Sequence, residues 1–349
     1  MRCYSQPADC STKMNASDEQ KRIKAITSSA GEWLNGDMAL PTLDSLEKEF
    51  LARLAADASD ETQQWALKFL DDYLDSGSTS VSSLELAIRS THRPTELQAL
   101  LFAAYARHFE KDHFEAVNQL RKLLDGATLL VMHLSCQPRL ELAKSSAKTF
   151  SEADGARNLI VVGNGDSNDP RYHFDADQRI LTVPAPDIYE GLSRKVAAAY
   201  KFIGFTTRNI CLLKVDDDIG AVPTRFSAGH LVTLVQQHDY LGFVIDTRLT
   251  GMHRWWHLGK CSDEKLNETP YSFIGQASYA RGPAYALSWK AISALAKASI
   301  YYCQQFAVEG GYEDLAVGKM LNAAGIHPIN YDLEKHGFVY STDRKTDAS

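Results

Sequence analysis

The sequence predicts an α/β fold, a mainly parallel sheet covered by helices, preceded by an all-α domain. Three observations lead there. From Leu43 to Asp125 the apolar residues recur at helical spacing, with no strand pattern. From residue 127 onward, short apolar runs alternate with amphipathic stretches, the rhythm of a sheet with helices on both faces. A chain of 349 residues, 44% hydrophobic and 23% charged, has room for two domains or one large domain with an appendage. The predicted divisions are a flexible or partly helical segment over 1–41, an α-helical domain over 42–126, and the α/β domain over 127–349.

In the helical part, "TLDSLEKEFLARLAAD" opens with Thr42 or Asp44 as N-cap, followed by "ETQQWALKFLDDYL" and "SLELAIRS". "PTELQALLFAAYARHF" carries Pro94 at a first-turn position, and "HFEAVNQLRKLLDG" stops at Gly126. These helices read as a packing scaffold or as a surface for a protein partner. Then "ATLLVMHLS" reads as a buried strand, "RLELAKSSAKTFSEA" as a helix, and "NLIVVGNGD" and "QRILTVPAP" as strands. "YEGLSRKVAAAYKFIGF" is the next helix and "NICLLKV" the strand after it. In such sheets ligands bind beyond the carboxyl ends of the strands.

Composition excludes some classes. A net charge of −7 lacks the basic excess of a nucleic-acid binder. No apolar run approaches the ~18 residues of a membrane span, and the N-terminus lacks the apolar core of a secretory signal. The six cysteines form no CxxC pair, and Cys211 sits inside an apolar run as a small hydrophobe. The expectation is a soluble, reduced, cytoplasmic protein, with the Golgi lumen as the alternative if an anchor was removed.

Asp216, Asp217 and Asp218 end the "NICLLKV" strand. Adjacent carboxylates raise one another's pKa unless a cation neutralises them. A hard divalent metal shared with substrate phosphates is one resolution; a solvated acidic turn is the other. Alternation along an extended segment favours Asp216 and Asp218 as the site-facing pair, with Asp217 turned toward the scaffold. An aspartyl-nucleophile phosphatase usually continues with Thr or Val where this chain has Ile219-Gly220, and a calcium loop needs oxygen ligands that "IGAVPTRF" does not supply.

Four ordered segments break the tie. They are "RLELAKSSAKTF"; "DIYEGLSRKVAAAYKF", with Asp187, Tyr189, Leu192 and Lys195; "LLKVDDDI", with Lys214; and "YARGPAYALS" combined with "GGYEDLAVGKMLNAAGI". With "RWWHLGK" before the last, they resemble the β-1,3-glycosyltransferase family of galactosyltransferases, N-acetylglucosaminyltransferases and Fringe enzymes. The resemblance spans roughly residues 127 to 340 and leaves the helical segment outside.

The resemblance implies a glycosyltransferase A-type (GT-A), Rossmann-like domain. It also implies metal-dependent, inverting transfer of a hexose or N-acetylhexosamine from a UDP-sugar to a glycan, glycolipid or glycoprotein, forming a β-1,3 linkage. Mn²⁺ or Mg²⁺ would be held by Asp218 with Asp216 nearby and by a late histidine, His336 with His327 in reserve. A lone histidine is otherwise a surface or core residue. Asp314 would be the base and Glu313 an orienting residue, although acids at a helix start also have a dipole explanation. Arg139, Asp187, Lys195, Lys214, Asp216 and Asp217 fall at or near the nucleotide by the same resemblance, and Ser135 is placed there by location alone. The alternative for Arg139 and Lys195 is helix-surface charge. Gly275, Gly282 and Tyr285 would shape the sugar pocket, and Trp255 and Trp256 would stack on a sugar face or lie in the core. Departures are Thr149-Phe150 where the family has Thr-Trp, and Pro283-Ala284 where glycine is commoner; with no anchor or paired cysteines visible, they point to a bacterial or otherwise non-secretory relative. A second class of function is a nucleotide-sugar- or carbohydrate-binding module without turnover, and a third is phosphoryl transfer.

Overall fold

The computed structural model describes residues 84–85, 88–89, 96–150, 155–165, 169–222, 224–251, 253–273, 275–302, 306, 309–333, 335 and 337–340. Most of the predicted helical domain therefore lies outside the described residues. Its last two helices are present as α1 (Glu96–Asp112) and α2 (Phe114–Leu123).

The remaining elements follow in order: β1 (Leu129–Leu134), α3 (Leu140–Thr149), β2 (Ala156–Gly163), β3 (His173–Asp175), β4 (Ile180–Val183) and α4 (Leu192–Thr206). Then come β5 (Cys211–Asp216), β6 (Ile219–Ala221), α5 (Ala228–His238), β7 (Tyr240–Asp246), the short α6 (Thr247–Thr250), β8 (His253–Arg254) and β9 (Tyr271–Ser272). The chain continues through β10 (Ser278–Leu287), α7 (Trp289–Tyr301), α8 (Glu313–Ala323), β11 (Ile329–Asn330) and β12 (Phe338–Tyr340).

An eight-stranded sheet in the order β11-β7-β10-β5-β1-β2-β4-β3 forms the centre. β5, β1, β2 and β4 pair in parallel, whereas β10 runs against β5 and β7, and β3 against β4. β1 and β5 are central, and their apolar runs reflect burial on both faces: all six residues of β1 are buried. Each face has its own core. On one side α4, α7 and α8 pack with α1 and α2 around Tyr105, Phe109, Phe202 and Leu295. On the other, α5 packs with Phe150, Leu213, Val215 and Phe338. Ser227 and Ser288 cap α5 and α7, accepting from the amides of His230 and Ala291.

Helix α1 shares the domain's core through ring packing. Tyr105 meets Phe205 at 4.9 Å between centroids, and Phe109 meets Tyr172 at 5.4 Å, both edge-on. At the Thr149-Phe150 departure, Phe150 is buried edge-on against His133 and Phe226, each 5.3 Å away. Thr149 Oγ1 accepts the Ala221 amide at 2.8 Å, tying α3 to the strand that follows the aspartates.

Candidate active site

The carboxyl ends of β1, β2 and β5 converge, and buried charge fixes them. Lys195, near the start of α4, is 1% exposed and donates to Ser135 O at 2.7 Å. Its ammonium also lies 2.6 Å from Asp187 Oδ1. Asp187 accepts the Gly163 amide on Oδ1 at 2.7 Å and the Gln137 amide on Oδ2 at 2.6 Å. The pair thus rivets the loops leaving β1 and β2. Neither residue is the surface charge that a helix-face reading of Lys195 would give.

The three aspartates diverge because β5 ends at Asp216 and residues 217–218 form the turn into β6. Asp217 accepts Ser135 Oγ at 2.9 Å and is clamped by Arg139, with Nε 2.9 Å from Oδ2 and Nη2 2.8 Å from Oδ1. That fork raises the Arg139 pKa above its ordinary value, hydrogen bonding to Asp217 outweighing the cost of burial. Asp218 is buried, with Arg139 Nη2 at 3.8 Å. Asp216 keeps a third of its side chain exposed and accepts Lys214 Nζ at 2.6 Å.

Lys214 is the centre of a second cluster. Wholly buried on β5, it also donates to Gly282 O at 2.6 Å and Glu313 Oε1 at 2.8 Å. Burial opposes its charge, but Asp216 and Glu313 outweigh that and hold its pKa well above the usual lysine value. Gly282 reaches Lys214 because β10 loses register with β7 between Ala280 and Tyr285. The bulge absorbs Pro283, whose missing N–H would break a regular ladder. A Cβ on Gly282 would lie 3.2 Å from Glu313 Oε1 and 3.3 Å from Asp314 Oδ2. Tyr285 lies beneath, fully buried, its hydroxyl 2.7 Å from that of Tyr200, so it supports the floor of the site.

Helix α8 starts at this bulge. Asp314 Oδ2 accepts the Gly282 amide at 2.9 Å, and Oδ1 accepts its neighbour Leu315's amide at 2.8 Å. Removal from water, then the charge of Glu313, push the Asp314 carboxyl up to about 7, against the two amides and Lys214. Asp314 remains partly exposed, so a carboxyl of raised pKa lies where a ligand could meet it.

Other expected residues are placed as follows. Trp255 and Trp256 are 56% and 69% exposed, so they are not core. They adjoin His257, whose Nδ1 lies 2.8 Å from the Tyr312 hydroxyl, immediately before Glu313. His336 lies outside the described residues. Lys335 and Gly337 flank it, and β12 pairs antiparallel with β6, one residue beyond Asp218. His327 is exposed and meets Asn322 Oδ1 at 3.0 Å, at the end of α8 away from Asp314. Gly275 has a left-handed φ of 84° with open space at its Cβ. Three groups escape a reading by sequence: Tyr312, His257, and Glu190, which accepts Ser262 Oγ at 3.0 Å and the Asp263 amide at 2.8 Å. Each works through a partner at least 55 residues away, which leaves no local signal.

A family model described as Galactosyltransferase matches residues 148–332, 185 of the 349 positions. The chain belongs to the galactosyltransferase family. No curated protein matches it. Membership makes the chain a glycosyltransferase enzyme. The matched family segment includes Asp187, Lys195, Lys214, the three aspartates, Gly282, Glu313 and Asp314; Ser135, Arg139 and His336 fall outside it. No described helix is long and apolar enough to cross a membrane.

Proposed function

We propose that this glycosyltransferase moves a hexose or N-acetylhexosamine, galactose in the first instance, from a UDP-sugar to an acceptor hydroxyl with inversion, forming a β-1,3 linkage. The observation that carries the reading is Asp314, a partly exposed carboxyl with a pKa of about 7 beside the Lys214 cluster. A base must lie near the operating pH to take a proton from a hydroxyl as the new bond forms. Asp314 is in that range because burial and Glu313 hold it there. Proton removal on the face opposite a departing diphosphate corresponds to single displacement, hence inversion at the anomeric carbon.

A divalent cation fits the donor set. Asp216, Asp217, Asp218, Glu313 and Asp314 gather around two cations, Lys214 and Arg139, which leaves a surplus of negative charge. Among the described residues no three His, Cys, Asp or Glu side chains form a ready metal-binding group. A Mg²⁺- or Mn²⁺-type site built from one or two carboxylates plus substrate phosphates does not require one. Asp218 and Asp216 are the residues that would hold it, with His336 as a third ligand. When bound, such an ion supplies Lewis-acid neutralisation of the leaving diphosphate. The protein's own residues do the rest: Arg139 fixes Asp217, Lys195 fixes the β1 and β2 ends, and Lys214 orients Asp216 and Glu313.

The test is hydrolysis of UDP-galactose with and without Mn²⁺, in wild type and Asp218→Ala, beside calorimetric titration of Mn²⁺. Metal-dependent turnover lost in the variant, with weakened Mn²⁺ binding, is expected. Metal-independent turnover that survives the substitution would overturn the reading.

A further inference from the structure

Residues 254–257 carry an inverted burial pattern. The apolar Trp255 and Trp256 are exposed, whereas Arg254 and His257 on either side of them are buried, at 7% and 5% exposure. Burying a cation and an imidazole is costly unless both are bonded, and both are. Arg254 donates from Nε to the Tyr279 hydroxyl at 3.1 Å and from Nη1 to Gly251 O at 3.1 Å and His253 O at 2.9 Å. Its Nη2 donates to Thr250 Oγ1 at 2.9 Å, and the guanidinium lies over the Phe273 ring, 5.0 Å from the centroid. His257 Nε2 is 2.9 Å from Thr269 O. A carbonyl only accepts, so Nε2 carries the proton of the neutral ring and Nδ1 accepts from the Tyr312 hydroxyl at 2.8 Å.

Tyr312 is fixed in turn. Its amide donates to Glu309 O at 3.0 Å, and its ring stacks on Tyr271 with centroids 4.9 Å apart. Burial pushes its hydroxyl up to about 12, opposed by hydrogen bonding from the His257 and Trp256 amides. Tyr312 is the residue before α8, whose first two residues are Glu313 and Asp314. The backbone on both sides of the two indoles is thus locked while the indoles themselves stand in solvent. Beyond His257, Ser262 and Asp263 are held by Glu190 on the side of α4. Rings held this way lose little freedom when something stacks on them.

We propose that His257 is a positioning residue: through Tyr312 it keeps Trp255 and Trp256 in register with the start of α8, where they form a platform for a sugar ring of the acceptor. The inference rests on the proposed transfer to an acceptor hydroxyl and adds what holds that acceptor. A pyranose presents a face of C–H groups, and such a face stacks on the negative face of an indole. Neither His257 nor Tyr312 has to touch the sugar.

The experiment is calorimetric titration of the full chain with methyl β-galactoside and with methyl N-acetyl-β-glucosaminide, without donor or metal, and separately with UDP in the presence of Mn²⁺. Wild type should bind at least one glycoside. His257→Ala and Tyr312→Phe should each weaken that binding about fivefold, the scale of one neutral hydrogen bond, with UDP affinity unmoved. His257→Asn, which keeps an acceptor where Nδ1 stands, should recover most of the loss. In a Trp256→Ala background His257→Ala should cost about twofold or less, because part of the platform through which His257 acts is gone. Failure of wild type to bind either glycoside at about 10 mM overturns the proposal. So does wild-type glycoside affinity in Tyr312→Phe, a parallel loss of UDP affinity in the variants, or a full fivefold loss that persists in Trp256→Ala. If His257→Ala does not fold, Tyr312→Phe, which keeps the stacked ring, decides. Absence of UDP binding in wild type counts against the UDP-sugar donor, while the glycoside titrations still decide the role of His257.

Discussion

Two clusters of buried charge stand at the same end of the sheet and follow opposite rules. Around Lys195 and Asp187 every charge is matched: one ammonium, one carboxylate, and backbone partners for the rest. Around Lys214 a single ammonium is shared by Asp216 and Glu313, with Asp314 next to them receiving only backbone amides. Matched charge makes a rivet. Burial, with the charge of Glu313 behind it, pushes the Asp314 carboxyl up to about 7, the range that the proposed transfer to a hydroxyl needs. On the proposed function, the two clusters divide holding the site together from acting in it.

The sharpest way to break that division is Asp314→Asn. Transfer should fall ~10²–10⁴-fold, the usual contribution of a general base, while UDP binding measured by calorimetry is unchanged. In wild type kcat/KM should rise with pH through a midpoint of about 7, and this limb should vanish in the variant. Stability carries the opposite sign. A carboxyl with a raised folded pKa favours the fold fully below its unfolded value, ~4, and that contribution is lost as pH rises through about 7. Melts of Asp314→Asn should lack that decline.

Next in size is the rivet. Lys195→Met strands the Asp187 carboxylate in a buried position, and breaking a buried pair costs roughly 3–5 kcal/mol. A large drop in melting temperature is expected, with the pH midpoint of any remaining activity unmoved. A shifted midpoint would show that the clusters are coupled.

Gly282→Ala tests the contact face of the second cluster. Its methyl would press on Glu313 and Asp314, whose oxygens must yield by a few tenths of an ångström. Turnover should fall about tenfold, since small misplacement of reacting groups is costly, with little change in melting temperature. The smallest effect belongs to Trp256→Ala. The ring is 69% exposed, so stability should stay within about 0.5 kcal/mol, and a rise in acceptor KM would mark a sugar-stacking surface.

How far these clusters were legible in the sequence depends on the range of each interaction. The run into Asp216 reads as a buried strand because central parallel strands are apolar on both faces. Helix α8 reads from its periodicity and its acidic first turn. The two- and three-residue strands β3, β6, β8, β9, β11 and β12 are too short to show a period and were not anticipated. Alternation suggested Asp216 and Asp218 facing one way. The turn at 217–218 ends that alternation, sending Asp217 to Ser135 and Arg139 and burying Asp218. The double tryptophan allowed either a core or an exposed reading, and burial decided it.

Sequence alone determined the α/β alternation, the aspartates at a strand end and the acids opening α8, because apolar periodicity and local residue chemistry act over a few positions. Only the tertiary structure decided which acid titrates near neutrality. Lys214 meets Gly282 and Glu313 across separations of 68 and 99 residues, and Asp314 meets Gly282 across 32. A carboxyl's pKa depends on what surrounds it in space, and those neighbours exist only once β5, β10 and α8 have packed together.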